Sequence, residues 1–281
     1  MTILQAMFLG LIQGITEFLP VSSSGHLSIF QNFLHITTAE DSNMLFDVLL
    51  HLGTLVSVCV VYRRDILGII RDCVDFVRSA SHPVPGDEKR RYTGARLLLL
   101  MAVATLPLFL ILPVKDYIER LYYSTVFIGI ALILTGAMLF VADRMPRGKK
   151  TAKSMGIMDA LLVGVCQAIA TVPGLSRSGT TITAGVSAGL NREFAVKFSF
   201  LISIPAVLGA NILSLVKALG EGIDTKAVPA YLLGMLVAMV VGYFAIWMVR
   251  YVAKKGKFGW FAYYCAAAGV VTLIITIVQA A

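Results

Sequence analysis

The sequence predicts an all-α integral membrane protein: six transmembrane helices plus two re-entrant helical hairpins in an inverted-topology repeat. Three observations carry this. Of the 281 residues, 58% are hydrophobic and 14% charged, against about 25% charged in soluble domains, and a soluble enzyme is thereby excluded. Six apolar stretches run unbroken for long enough to cross a bilayer, while two others are interrupted at their centres. The two interrupted stretches are also copies of each other.

The first interrupted stretch, 2–36, is broken at Leu19-Pro20-Val21-Ser22-Ser23-Ser24-Gly25-His26. It has no basic leader and carries Gln13 and Glu17, so it is expected to be neither a signal peptide nor a simple span. The spans are expected at 44–62, 97–113, 124–142, 198–216, 229–249 and 258–278, each near the ~20 apolar residues a crossing needs. Between the first two lies 63–96, whose opening Arg63-Arg64-Asp65-Ile66-Leu67-Gly68-Ile69-Ile70-Arg71-Asp72 is basic and amphipathic. It is expected to lie along the membrane surface as an anchor. The second interrupted stretch, 156–190, is broken at Val172-Pro173-Gly174-Leu175-Ser176-Arg177-Ser178-Gly179-Thr180-Thr181. Non-helical backbone at membrane depth persists only inside protein or beside water. Both stretches are therefore read as hairpins buried in the bundle.

Charge supports this reading. With two hairpins and six spans, segments 63–96, 143–157, 191–197 and 250–257 share one side and hold most of the 24 Lys and Arg. That side is cytoplasmic by the positive-inside rule, with Trp247, Tyr251 and Trp260 at its interface. The net charge of +8 is then topology, and no nucleic-acid partner is expected. Shifting the second hairpin by 154 residues aligns Gly10 with Gly164, Gln13 with Gln167, Ile15 with Ile169, Ser22 with Ser176, Ser24 with Ser178 and Gly25 with Gly179. The chain is read as a single membrane domain, 1–281, with repeats 1–142 and 156–281. Three spans follow each hairpin, so the second enters from the opposite face. Cys59, Cys73, Cys166 and Cys265 form no C-x-x-C pair and imply neither a disulfide framework nor a metal site. Gly185 and Gly189 are the candidate for a homodimer face, although within a hairpin they are expected to pack inside one chain.

Hairpins entering from opposite faces bring their tips together near the midplane. Each tip leads into a helix whose unpaired N–H groups and partial positive charge favour an anion. Arg177 lies at one tip, where a guanidinium is costly; its fork matches a phosphate, the alternative being a structural ion pair with Glu17. Gln13 and Glu17 share one helix face. Glu17 is expected to ligate a divalent cation, Mg²⁺ or Ca²⁺, or to act as a general base, with Gln13 adding a neutral oxygen ligand. His26 is a candidate nucleophile or general acid/base, and Ser23 the other candidate nucleophile. Ser22, Ser24, Gly25, Ser176, Ser178, Thr180 and Thr181 are expected to bind the anionic oxygens. Asp47, His51 and Asp159, near span ends, are assigned structural polar roles. One carboxylate, one imidazole, one guanidinium and several hydroxyls suit phosphoryl transfer, acting on a lipid whose head group enters from the bilayer.

At these residues the chain resembles the bacitracin-resistance family of undecaprenyl-diphosphate phosphatases. The family's Glu/Gln-x-x-x-Glu motif appears as Gln13 to Glu17 and continues into Pro20-Val21-Ser22-Ser23-Ser24-Gly25-His26, and its Pro-Gly-x-Ser-Arg-Ser motif appears as Pro173 to Ser178. The Phe46-Asp47-Val48 and Lys197-Phe198-Ser199-Phe200 stretches extend the resemblance over essentially the whole chain. It implies a bacterial inner-membrane enzyme that removes the terminal phosphate of a polyprenyl diphosphate, yielding the carrier lipid reused in peptidoglycan synthesis. It also implies essential roles for Glu17, Ser23, His26 and Arg177, dependence on a divalent cation, and a site facing the periplasm. Gln13 stands where some members have Glu, which weakens any mechanism needing two carboxylates on the metal. The competing expectation is a polyprenyl-phosphate transporter or flippase, because broken helices in inverted repeats are also transporter architecture. The lipid-phosphate phosphatase superfamily fits less well, since Thr183 stands where its Ser-Arg-x₅-His motif requires His.

Overall fold

The computed structural model describes residues 1–33, 44–81, 93–221 and 226–280. Of the described residues 84% are helical, and no β-strand occurs among them. Six helical runs are long and apolar enough to cross a membrane. They are α3 (Met44–Val61), the run from α5 (Thr93–Thr105) through a 3-10 stretch (Leu106–Val114) to α6 (Lys115–Leu121), α7 (Thr125–Arg144), α10 (Arg192–Glu221), α11 (Val228–Lys255) and α12 (Gly259–Ala280). They coincide with the six expected spans and differ at the ends. The second run tightens to 3-10 at Leu106–Val114, where Pro107 and Pro113 remove backbone donors. These runs expose large apolar side chains, Phe109, Leu110, Trp260 and Val278 among them.

The interrupted stretches form four short helices, α1 (Ile3–Thr16), α2 (Ser23–Phe33), α8 (Ile157–Ile169) and α9 (Arg177–Ser187). At 1.5 Å per residue even α1 reaches only ~21 Å, short of the ~30 Å hydrocarbon core. Residues 34–36 of the first stretch, and Lys89, Arg90 and Arg91 of the basic segment, lie outside the described residues.

The α8–α9 pair opens at one end of the bundle. Lys150 N–H donates to the Gly189 carbonyl (3.0 Å) and Asn191 N–H to the Lys150 carbonyl (2.8 Å), closing the two ends of the pair on each other. The same end is tied by Arg192, which donates to the carbonyls of Asp143, Met145 and Gly256 at 2.8–3.1 Å. Arg96 donates there to the carbonyls of Ala152, Lys153 and Met155. Lys197 pairs with Asp65 on the amphipathic helix α4 (Arg63–Ser81). The four segments grouped by charge thus meet at one end, and their basic side chains cap its exposed carbonyls.

The α1–α2 pair opens at the opposite end. Ser28 Oγ donates to the Tyr122 carbonyl between α6 and α7 (2.6 Å). Ala6 and Leu27, from the two arms, share a core cluster with Phe46, Ala227 and Tyr231 at the starts of α3 and α11. Matched positions make matched contacts. A Cβ at Gly10 would collide with the Gly234 backbone on α11, and one at Gly164, its copy, with the Ala104 backbone on α5. At the tips, Gly25 approaches Gly174 and Gly179 approaches Pro20, each the other's counterpart under the 154-residue shift. Gly185 packs against Ala195 and Leu190 of its own chain, so it faces the interior of one molecule.

Candidate active site

Each tip is a capped helix start. Ser22 Oγ accepts from Gly25 N–H (3.2 Å) and Ser176 Oγ from Gly179 N–H (3.0 Å), as N-caps do. The first turn holds Ser22 at φ 71° and the second holds Gly174 at φ 85°. A serine in the left-handed region costs of order 1 kcal/mol and marks a backbone fixed by its surroundings. Here the Ser22 carbonyl receives both the His26 backbone N–H (3.2 Å) and His26 Nδ1 (2.8 Å). The two tips are joined by Ser178, whose hydroxyl donates to the Leu19 carbonyl (3.1 Å). Thr135 on α7, fully buried, supports the second tip by accepting from Ser176 N–H (3.1 Å) and donating to the Gly174 carbonyl (3.2 Å).

Glu17 closes α1, its N–H bonding to the Gln13 carbonyl. A carboxylate is disfavoured at that negative helix end, and the first residues of α2 and α9 offset this. Ser23 Oγ donates to Glu17 Oε2 (2.6 Å), Gln13 Nε2 donates to the same oxygen (3.0 Å), and the Arg177 guanidinium pairs with Oε1. Glu17 is 8% exposed and Gln13 fully buried, so this is a charge pair held inside the protein. Ser23 and Arg177 are only partly buried, which leaves a hydroxyl and a guanidinium on an accessible side of the carboxylate.

Four predicted residues, Gln13, Glu17, Ser23 and Arg177, thus form one hydrogen-bonded cluster. His26 is beside it in the turn, and its two ring nitrogens bond elsewhere. Its Nδ1 faces the Ser22 carbonyl, and its Nε2 meets the Tyr264 hydroxyl (2.8 Å), with the two rings stacked at 5.6 Å. A carbonyl only accepts, so Nδ1 carries the hydrogen and neutral Nε2 receives the phenol's. The side chain in contact with the Ser23 hydroxyl is Glu17, not His26. The predicted anion-binding residues divide. Ser176 and Ser178 hydrogen-bond each other (3.2 Å), and Thr181 bonds Ser199 (2.5 Å) and its own helix, so these hydroxyls build the tips. Ser24 remains part-exposed beside Ser22 (3.4 Å). Thr180 keeps a buried hydroxyl without a partner, and Gly25 lends backbone alone.

Sequence reasoning missed three participants. His51, read as a structural polar residue, brings Nε2 to 3.9 Å from Glu17 Oε2; Tyr264 and Thr135 belong to no motif. His51 left a signal, an intramembrane imidazole one turn after Asp47, whereas Tyr264 and Thr135 reach the tips from distant helices. Among the described residues no three His, Cys, Asp or Glu side chains converge. The oxygen donors of Glu17 and Gln13 fit a hard cation whose shell is completed by substrate and water, and Gln13 Oε1 is buried with no partner.

The model of the family of bacitracin resistance protein BacA matches residues 6–271. The chain is 40% identical over 274 residues to the undecaprenyl-diphosphatase of Carboxydothermus hydrogenoformans, covering 96% of each chain. It is 40% identical to that of Alkaliphilus metalliredigens, covering 99% of this chain and 100% of the other. It is 42% identical to that of Rubrobacter xylanophilus over 93% and 94% of the two chains.

Proposed function

The chain belongs to the family of bacitracin resistance protein BacA, and on that premise we propose that it is an undecaprenyl-diphosphatase. It hydrolyses undecaprenyl diphosphate to undecaprenyl phosphate and inorganic phosphate within the membrane, returning the lipid carrier to cell-wall synthesis. The observation that carries the reading to chemistry is the Ser23 hydroxyl held on the Glu17 carboxylate, with Arg177 on the carboxylate's other oxygen.

In the proposed reaction the two short helix pairs enter the bilayer from opposite faces and return without crossing, and the diphosphate lies between their tips. Arg177 turns from Glu17 to the terminal phosphate, where its fork and the N-termini of α2 and α9 stabilise the equatorial charge. Glu17 accepts the Ser23 proton as Oγ attacks the terminal phosphorus, and the P–O bond to undecaprenyl phosphate breaks. Water then hydrolyses the phosphoserine, its proton passing to His26 Nε2 once that nitrogen exchanges the Tyr264 hydroxyl for the water, while Ser22 holds Nδ1. Glu17 returns its own proton to Ser23. A divalent cation on Glu17 and Gln13 would neutralise charge on the phosphate oxygens. The site faces the periplasm of the inner membrane, the side on which the basic segments are sparse.

The test is phosphate release from undecaprenyl diphosphate by protein purified in detergent, where transport cannot occur. Release is expected from the unaltered chain, is lost on adding EDTA, and falls at least ~10³-fold in Ser23→Ala and in Glu17→Gln. Full activity of either folded variant removes the serine–carboxylate pair from the reaction. Absence of release by the unaltered chain refutes the hydrolase reading.

A further inference from the structure

His51 lies on α3 and reaches the carboxylate that holds Ser23. Its Nδ1 is 2.8 Å from the Asp47 carbonyl, so Nδ1 carries the hydrogen and Nε2 of the neutral ring presents a bare lone pair. That lone pair is 3.9 Å from Glu17 Oε2. The separation is too long for a hydrogen bond and shorter than the roughly 4.2 Å spanned by two ordinary metal–ligand bonds end to end. Two electron-rich atoms face each other here, an arrangement that a cation between them relieves. The His51 side chain is 32% exposed, so it is not sealed in the core.

Gln13 gives an independent indication. Its Oε1 is buried without a hydrogen-bond partner, on a residue of 0% exposure. The same amide already touches Glu17 Oε2 through its nitrogen (3.0 Å). Rotating the amide exchanges that N–H for an oxygen beside the carboxylate.

We propose that His51 is a metal ligand, and that Nε2 of His51, Oε2 of Glu17 and Oε1 of Gln13 hold the divalent cation. Its remaining positions go to water and diphosphate oxygens. The proposal deepens the phosphatase reading and rests on it. It also alters which ion the site prefers. Carboxylate and carbonyl oxygens suit Mg²⁺ and Ca²⁺, whereas an imidazole nitrogen favours first-row transition ions. The chain is therefore expected to select a first-row ion over Mg²⁺ or Ca²⁺, in contrast to the all-oxygen site that the Gln13–Glu17 motif alone predicts.

The experiment loads the detergent-purified full chain with Mn²⁺ alone and records electron spin-echo modulation. A ¹⁴N signal from a directly bound imidazole is expected in the unaltered protein, which requires no variant to fold. In His51→Gln the signal disappears, and Mn²⁺ binds about ten-fold more weakly or worse, the scale seen when even an outer partner of a ligand is lost. Mg²⁺ affinity, measured by competition, changes little, which a merely structural role for His51 does not predict. Bound Mn²⁺ without ¹⁴N modulation, or a signal that survives in His51→Gln, overturns the proposal. Phosphate release measured in parallel separates the two readings. Release without the ¹⁴N signal refutes His51 ligation alone; the signal without release supports the metal site and refutes the phosphatase reading.

Discussion

Thr135→Val removes one hydroxyl and leaves the side-chain shape unchanged, yet that hydroxyl serves two buried backbone groups at the second tip. Ser176 N–H and the Gly174 carbonyl, bonded to it at 3.1 and 3.2 Å, both lose their partner. Thr135 is fully buried, so water does not replace it. Each unsatisfied buried group costs about 1–3 kcal/mol, and with some relaxation the pair costs about 3 kcal/mol. Part of this falls on the turn that sets Arg177, so activity should suffer along with stability. Unfolding can be followed with a dye that reacts with the four free cysteines, one buried and three half-buried, as they become exposed. At roughly 2 °C per kcal/mol for a chain of this size, the midpoint is expected to fall by about 6 °C. Phosphate release at a temperature where the variant is folded should fall about ten-fold, equivalent to about 1.4 kcal/mol in the transition state. Thr135→Ser keeps both bonds and should stay within about 1 kcal/mol of the unaltered protein. Equal midpoints for Thr135→Val and the unaltered chain would refute the assignment of these two bonds.

Other substitutions separate scaffold from chemistry. Tyr264→Phe keeps the ring stacked on His26 and deletes one hydrogen bond, so turnover should drop about five-fold, matching ~1 kcal/mol, with an unchanged melting profile. Arg192→Leu removes a charged clamp on the ends of α7 and α11 and should lower stability by about 3 kcal/mol, measured by the same dye, while activity per folded molecule stays the same. Gly10→Val drives a side chain into the Gly234 backbone. It should displace α1 and lower both folding yield and activity, whereas Gly68→Val, with no atom within 4 Å of the added Cβ, should do neither.

The membrane runs were legible because hydropathy acts along a segment and needs no partner to be read. The tips were legible for a related reason: Pro20 and Pro173–Gly174 interrupt a helix wherever they stand, and Ser22 and Ser176 cap the next one within three residues. Gln13 and Glu17 declared themselves by helical spacing. Arg177 stood out because a guanidinium inside an apolar segment is costly; of its two readings, the ion pair with Glu17 is the one the structure holds. The geometry of His26 was not legible. Its neighbour Tyr264 is 238 residues away, and no local pattern says which of two nearby groups receives a proton. Likewise, the roles of Ser178 and Thr181 depended on Leu19 and Ser199, partners chosen by packing between helices. The place of His51 near the start of a span suggests a structural polar role, whereas α3 brings it beside the end of the short helix α1.

Under the 154-residue shift that relates the two hairpins, Ser23 and Arg177 occupy the same position. The proposed nucleophile and the proposed phosphate ligand are thus alternative occupants of one structural slot, presented twice from opposite directions. Likewise Glu17 corresponds to Thr171 and His26 to Thr180. Two copies of the first half brought together would offer two serines and two carboxylates but no guanidinium, and two copies of the second half would offer two guanidiniums and nothing to deprotonate a hydroxyl. The near-symmetry builds the paired tips; the departures from it supply the groups of the proposed reaction, for which neither half can be traded for a duplicate of the other.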